Sequence, residues 1–449
     1  MKNKFIILIF LLSLFSLQIF SSARYLTFTD YNYYYETIGK NILEYPYVFE
    51  TELKNYVKNY FYIKLPIKHE NILSNNYDIT RGWYSNTQIY DTYFREILLE
   101  NAEIFTLGFK GYYYNDFYYQ FFLDVYTGET SYFIDGKIVH FYELAETFEK
   151  FSMDMPKYSY FLLKRDSFEL SVGRTPLSLG PMYYDLTLSK HIPYYDNINL
   201  NLNFDSLNWK TALLSMVPFL DENEYAIAFE DPDFVAMRNA VYHGFVYNYE
   251  KINFGASLLN YIGGKKLGLH NLFFAETGSI GSFVNYNSFL DINFENAFNY
   301  NNKKHSLAVG ISKDLDFNKI KLLSSIEYYY VEKDYFEHEI PYKSLYYRTF
   351  VLSNSPGMRK HYDYPLGFFY GDDASVFHFN NVIAFEKGYV RLINDFGKNK
   401  FGDLKKTQIK ALYNFLIGDF SLSYIDIKSG DKDFSSFKIS YDIILELGI

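Results

Sequence analysis

The sequence predicts an all-β fold: a closed antiparallel transmembrane β-barrel of about 16–18 strands, carrying a small N-terminal helical segment. Three observations lead there. Apolar and polar residues alternate with a period of two along most of the chain, the two faces of a half-buried strand. Aromatic residues make up 21% of the 449 residues, with 49 Tyr and 45 Phe, more rings than a soluble core needs. After the N-terminus, no apolar run is long enough to cross a bilayer as a helix, which takes about 20 residues. Codon bias in an AT-rich genome inflates Phe, Tyr, Asn, Ile and Lys by itself, so the alternation carries more weight than the ring count.

Composition also excludes several classes. Disordered chains are poor in aromatics and rich in Pro, whereas Pro numbers only 11 here. The absence of Cys rules out a disulfide scaffold and a lipid-anchored N-terminal cysteine. A formal net charge of −10 offers no basic field for phosphates, so nucleic acid is not an expected partner.

In chain order, residues 1–23 read as a secretory signal peptide. Lys2 and Lys4 form a positive start, Phe5 to Phe20 is apolar apart from Ser13, Ser16 and Gln18, and Ser21-Ser22-Ala23 supplies small residues for cleavage. An N-terminal membrane anchor is the competing reading, against which the stretch is somewhat short. The rest is expected to be exported, as a periplasmic, secreted or outer-membrane protein.

Residues 24–100 are assigned to an N-terminal periplasmic helical segment and first strand region. From Glu50 to Tyr60, the residues Leu53, Tyr56, Val57 and Tyr60 fall at three- and four-residue intervals, one face of a helix. Pro66 then opens a second short segment, Ile67 to Leu73. An irregular N-terminal arm is the alternative.

Residues 101–449 are assigned to the barrel. Phe109, Tyr112 to Tyr114 and Phe117 to Phe122 surround an Asn115-Asp116 turn, as an interfacial aromatic girdle does. Tyr158 to Lys164 and Phe168 to Gly173 form a hairpin around Arg165-Asp166-Ser167, with Phe168, Leu170 and Val172 on one face. Further hairpins turn at Glu386-Lys387-Gly388 and Gly418-Asp419. The last segment is the clearest, because Phe437, Ile439, Tyr441, Ile443, Leu445 and Leu447 alternate with Lys438, Ser440, Asp442, Ile444 and Glu446. Closure follows from lipid, since a spanning backbone must pair every N–H and C=O, and without helices only a closed sheet does so. A barrel this wide leaves a lumen. Outer-membrane lipid and the barrel-insertion machinery are the partners such a fold implies.

Two stretches depart from alternation. Gly173-Arg174 ends a strand and leads through Gly180-Pro181 and Leu188-Ser189 to Pro193 and Ile198; later come Leu366-Gly367 and Gly371-Asp372-Asp373 before a strand. With the looser segment Met237-Arg238 to His243-Gly244 and Asn253-Phe254-Gly255, this order resembles the Wzi-like family of capsule-assembly outer-membrane barrels. The resemblance implies a many-stranded barrel whose surface face binds capsular or exopolysaccharide, and a family that is not enzymatic. It makes Gly173, Arg174, Gly180, Pro181, Ser189, Arg238, His243, Gly367 and Asp373 the candidate ligand-binding or motif residues. Independently, Tyr-rich loops offer flat faces and hydroxyls to sugars, and Arg174 could fork onto a uronic carboxylate. The plainer readings are an ion pair in the lumen for Arg174 and turn formation for Gly180, Pro181 and Gly367.

Catalytic chemistry is not indicated. The nine His show no metal-binding spacing, and neither a nucleophile elbow nor a phosphate loop occurs. The acidic run Asp221 to Glu224 followed by Glu230 to Asp233 suits either a Ca²⁺ loop or a solvated one. No enzyme, cofactor or metal is expected. The favoured function is a non-enzymatic surface barrel that binds or anchors polysaccharide with its lumen occluded. The alternative is a general diffusion porin with an open, water-filled channel, and a soluble exported β-protein is a third reading.

Overall fold

A computed structural model describes residues 57–75, 103–127 apart from 114–116, short stretches within 131–154, 159–175 apart from 166, Leu177, 180–189, 195–216, Glu224, 227–228, and 230–448 apart from 318–319, 352–359, 386 and 416–417. Along the chain run β1 (Val57–Asn75), β2 (Glu103–Tyr113), β3 (Phe117–Thr127), β4 (Ser131–Ile134), β5 (Lys137–His140), β6 (Phe151–Asp154), β7 (Tyr160–Arg165) and β8 (Phe168–Thr175). They continue as β9 (Tyr195–Phe204), β10 (Leu207–Met216), β11 (Arg238–Tyr249), β12 (Ile252–Gly263), β13 (Thr277–Tyr286), β14 (Asp291–Asn299), β15 (Lys304–Phe317) and β16 (Ile320–Val331). The chain ends with β17 (Tyr346–Val351), β18 (Lys360–Pro365), β19 (Ala374–Phe385), β20 (Gly388–Asn399), β21 (Gly402–Phe415), β22 (Gly418–Ser429) and β23 (Lys432–Gly448).

Each strand pairs antiparallel with its neighbours, and β1 pairs with β23 from Tyr60↔Gly448 to Asn75↔Phe434, closing the sheet. Because β6 and β7 both pair with β3, at its two ends, the 19-stranded sheet fills 18 positions around the barrel. The remaining strands form two separate hairpins, β4–β5 and β17–β18. The expected closed antiparallel barrel is what the chain builds.

The two ends of the barrel differ. At one end the connections are tight: Asp205-Ser206 joins β9 to β10 and Glu250-Lys251 joins β11 to β12. Asp205 and Glu250 adopt φ of 47° and 49°, the left-handed backbone that two-residue hairpins require. The described chain also begins and ends there, since Val57 lies opposite Tyr113 and Gly448 opposite Tyr60. The other end carries the long connections, through residues 176–194, 217–237, 264–276 and 332–373, beside short ones at 300–303, 400–401 and 430–431.

The wall is inverted relative to a soluble protein. Ile292, Ile311 and Ile326 lie side by side across three strands, each about half exposed on the outside, and Phe109 and Phe121 face each other in the same way. Side chains one residue along point inward and are polar yet buried: Asn293, Glu295, Ser325, Glu327, Lys210 and Asn199. Apolar-out and polar-in alternation is the pattern of a barrel in lipid.

The N-terminal segment differs from expectation. From Val57 onward the residues assigned to a helix, with the segment after Pro66, form one strand of 19 residues; Glu50 to Tyr56 lie outside the described residues, as does the signal peptide. Spacings of three and four between rings are compatible with either period over so short a window. Pairing with two neighbours decided for the strand. Pro66 is tolerated because pairing with β2 stops at Lys64, so one side of the strand has no ladder there for its missing N–H to break.

Candidate functional site

The two off-pattern stretches meet inside the barrel. Residues 180–189, between β8 and β9, fold inward as an irregular strap, and residues 366–372, before β19, lie against it. Leu177, Met182, Tyr184, Leu186 and Leu188 are at most 1% exposed and join Leu366, Phe368 and Tyr370 in one apolar cluster within the lumen. The contact is close: Ser189 N–H donates to Leu366 O at 2.5 Å, and a Cβ on Gly367 would lie 2.0 Å from Leu186 O.

An irregular strap leaves its backbone N–H groups unpaired, and a buried one must find an acceptor. Inward carboxylates of the wall supply it. Leu186 N–H donates to Glu295 Oε1 at 2.8 Å, Tyr183 N–H to Glu327 Oε2 at 3.0 Å, and Tyr184 N–H to the Tyr329 hydroxyl at 3.0 Å. The Tyr329 hydroxyl in turn donates to Glu327. Deeper in, Asp395 of β20 gathers three groups: the Tyr184 hydroxyl at 2.8 Å, the Tyr370 hydroxyl at 2.5 Å and His378 Nδ1 at 2.5 Å. Burial, reinforced by the Asp395 charge, pushes the Tyr184 hydroxyl well above the usual phenol range, so it remains a donor. Thr187 reaches Ser257 of β12, and Gly180 fits where a Cβ would press on Glu295 and Asp185.

Beside the strap, cation and ring alternate. The Arg391 guanidinium lies 5.0 Å from the Tyr183 ring centre while its Nε donates to Asn380 at 3.0 Å, and Lys406 Nζ lies 5.7 Å from the Phe369 ring. Tyr183 also stacks on His378 at 4.3 Å. Contacts of the strap run from the β9–β10 side round to β20. On the remaining wall, Lys64, Lys68, Lys406, Lys410 and Lys438 occupy the inward phase, opposite exposed Leu65, Ile67, Ile409, Phe437 and Ile439, and all five are only half buried. Acidic side chains share this phase, with Asp419 and Asp442 opposite each other on β22 and β23 and Asp395 opposite Lys406, so this side of the lumen is polar and mixed in charge.

The candidate residues fall in several places. Gly180, Pro181, Ser189 and Gly367 belong to the strap and its partner stretch, so those four come together. Arg174 pairs with Asp196 at 2.6 Å, on the outer phase of β8 and β9 rather than in the lumen. Gly173 has a φ of 142°, and a Cβ there would meet Ser159 O at 2.1 Å. Arg238 is buried against Glu224 at 2.5 Å, so that part of the acidic run serves an ion pair. His243 lies on the outer face of β11. Asp373 takes a φ of 50° at the start of β19, its N–H on Glu332 O. Among the described residues no three His, Asp or Glu are placed to hold a metal ion. Sequence reasoning missed Glu295, Glu327, Asp395, His378 and Arg391. Their available signal was a charged or imidazole side chain in the polar phase of an otherwise ordinary alternating strand.

No family model matches the chain, and no curated protein does. Solved structures with a similar course include the outer membrane protein OpdK from Pseudomonas aeruginosa, with TM-score 0.45 and 8% identity over 88% of this chain and 100% of that one. Acinetobacter baumannii OccAB4 aligns with TM-score 0.45 and 11% identity over 89% and 100%, and Pseudomonas aeruginosa OccK9 (OpdG) with 0.46 and 9% over 87% and 98%. The expected kinship with the Wzi-like capsule-assembly family is corrected: no family model matches the chain, and the solved structures of similar course are not of that family. The polysaccharide-anchoring function rested on that kinship and is withdrawn with it. Its residue basis also fails, since the Arg174 fork meant for a uronic carboxylate is on Asp196.

Proposed function

We propose that the protein is an outer-membrane channel through which small polar solutes diffuse across the barrel, with the inward strap setting the width of the path. One observation supports this above the others: opposite the strap, the inward faces of β21, β23 and β1 carry half-buried lysines, a polar wall that water can reach. The strap is held by carboxylates at its backbone, which fixes it against one side of the wall. Rings at Tyr183 and Phe369, each beside a cation, give passing solutes a flat surface near positive charge. Export through a cleaved signal peptide fits this location. The role needs no catalysis.

Planar-bilayer recording of the purified protein tests the proposal. Discrete conductance steps are expected, and Lys406→Glu with Lys410→Glu should move the reversal potential in a salt gradient toward cations. Silent bilayers, with heat-modifiable and hence folded protein, would refute it.

A further inference from the structure

The outer wall is largely apolar, with scattered polar side chains such as Asn296, Asn381 and Asn394, and β10, β11 and β12 carry Thr211, His243 and Asn260 side by side on that face. The phase is set by register: Tyr242 faces the lumen cluster, while His243 shares the outward face with Phe245, which is 43% exposed. Such groups would be costly against lipid. They are roofed. His243, Asn260, Val241 and Ile262 are outward in phase but at most 6% exposed, because residues 264–276 fold back over the outside of the barrel.

The roof is built by specific contacts. The short 3-10 helix Leu269–Leu272 presents Leu272 O, which accepts from His243 Nε2 at 2.7 Å and from Asn260 Nδ2 at 3.3 Å. A carbonyl only accepts, so Nε2 carries the proton and Nδ1 takes the Thr211 hydroxyl at 3.0 Å. Phe273 stacks flat on His243, with centroids 5.4 Å apart and planes within 6°. Thr211, His243 and Asn260 thus find partners within the protein.

The far side of the loop is the reverse. Leu269 is 86% exposed, Phe274 74% and Phe273 58%, among the most exposed large apolar side chains of the described residues. They continue the belt of Phe245, Phe254 and Ile280 toward the long-connection end, which in such barrels faces outside. Of the two lysines that precede them, Lys265 pairs with Glu276 at 2.5 Å and Lys266 is exposed. Aromatic rings with an exposed lysine beside them at the edge of an apolar belt match a bilayer boundary, with rings in the interface and the Lys266 ammonium among phosphates.

We propose that residues 264–276 form a lipid-seated flap, which seals the polar patch of β10–β12 and rests Leu269, Phe273 and Phe274 in the outer leaflet beside anionic headgroups. The flap rests on the barrel fold and not on the channel function. The continuity of its exposed side with the lipid-facing belt selects lipid over a second copy of the chain as its occupant.

Because the chain has no Cys, Phe274→Cys gives a single site for a bimane label in the full-length protein, refolded into phosphatidylcholine–phosphatidylglycerol vesicles. Phe254→Cys on the belt and Glu339→Cys in an exposed loop serve as lipid and water references, with the heat-dependent gel shift confirming folding. Leu269→Cys replaces Phe274→Cys if that variant does not fold. The label should be quenched more by doxyl lipid carrying its nitroxide near the headgroup than deep in the chain, and iodide quenching should fall at least about threefold below the Glu339→Cys reference. Iodide quenching equal to that reference, without doxyl quenching, would overturn the flap. Protection from both quenchers, with disulfide-linked dimers of the unlabelled variant, would overturn it in favour of a second copy.

Discussion

Asp395 shows how much one inward carboxylate organises. It accepts from two phenols and an imidazole that come from the strap, from the stretch before β19 and from the wall, so three separate pieces of chain share one anion. Asp395→Ala would leave those buried donors without an acceptor, at about 1–3 kcal/mol for each group left unsatisfied. The expected result is a lower unfolding temperature in the gel-shift assay and noisier single-channel current, as the strap loosens. Gly367 makes the complementary point about space. Gly367→Ala places a Cβ against Leu186 O, and the displacement should cost about 1–3 kcal/mol, measurable as a shifted urea midpoint. Neither role was legible in the sequence, where Gly367 read as a turn former and Asp395 as one polar residue among many. Partners more than a hundred residues away, such as Glu295 for Leu186, leave no local mark.

At the scale of elements, the strap and the loops are separable from the wall. Removing residues 180–189 and joining the ends with a short Gly-Ser linker should leave the closed sheet intact, because no strand of the barrel draws its pairing from them. Conductance should rise, by about twofold or more if the strap rather than the barrel sets the width. An unchanged conductance would show that the constriction lies elsewhere. A second prediction concerns the loop that carries the flap, which Glu276 ties to residues 341–343 through Lys265 and Lys343 at 2.5 and 2.6 Å. Hydrogen bonds from those two ammonium groups pull Glu276 down to about 2 from an ordinary value near 4.5. A depressed carboxylate contributes its full stability above the ordinary value, and that contribution is lost as pH falls from about 4.5 toward 2. Both partners of the Lys265 contact are largely exposed, so the tie is worth under about 1 kcal/mol and weakens with salt. Glu276→Gln should therefore abolish an acid-induced rise in proteolysis of this loop between those pH values, while leaving neutral-pH stability nearly unchanged.

For the whole molecule, stability depends on which face meets lipid. Ile326, 53% exposed between Ile311 and Phe379, sits in the outer belt. Ile326→Lys should cost about 2–4 kcal/mol if it lies near mid-height of the bilayer, and much less in detergent that adapts around the charge. Refolding yield into vesicles, followed by the gel shift, reads that difference. The alternation that predicts this was plain in the sequence, and so were most hairpins: the turns at Asn115-Asp116, Arg165-Asp166-Ser167 and Glu386-Lys387-Gly388 fall at junctions of consecutive strands, whereas Gly418-Asp419 opens β22 itself, paired with Phe415 and Asn414. The misread element was β1, whose ring spacing fitted a helix until pairing with β2 and β23 gave its backbone partners on both sides. The family resemblance was misread for a related reason, because a sequence of glycines, prolines and leucines between strands describes how a chain leaves a wall and says little about what it meets inside.

Alternation, turn residues and the length of apolar runs are local quantities, so the chain alone determined that it would close into a barrel with an oily outside and a polar inside. What fills the polar inside depends on contacts between residues far apart in sequence. Only the tertiary structure could place the strap on Glu295, Glu327 and Asp395, move His243 to the outer wall beneath a loop, and leave the lysines of β21, β23 and β1 facing the path.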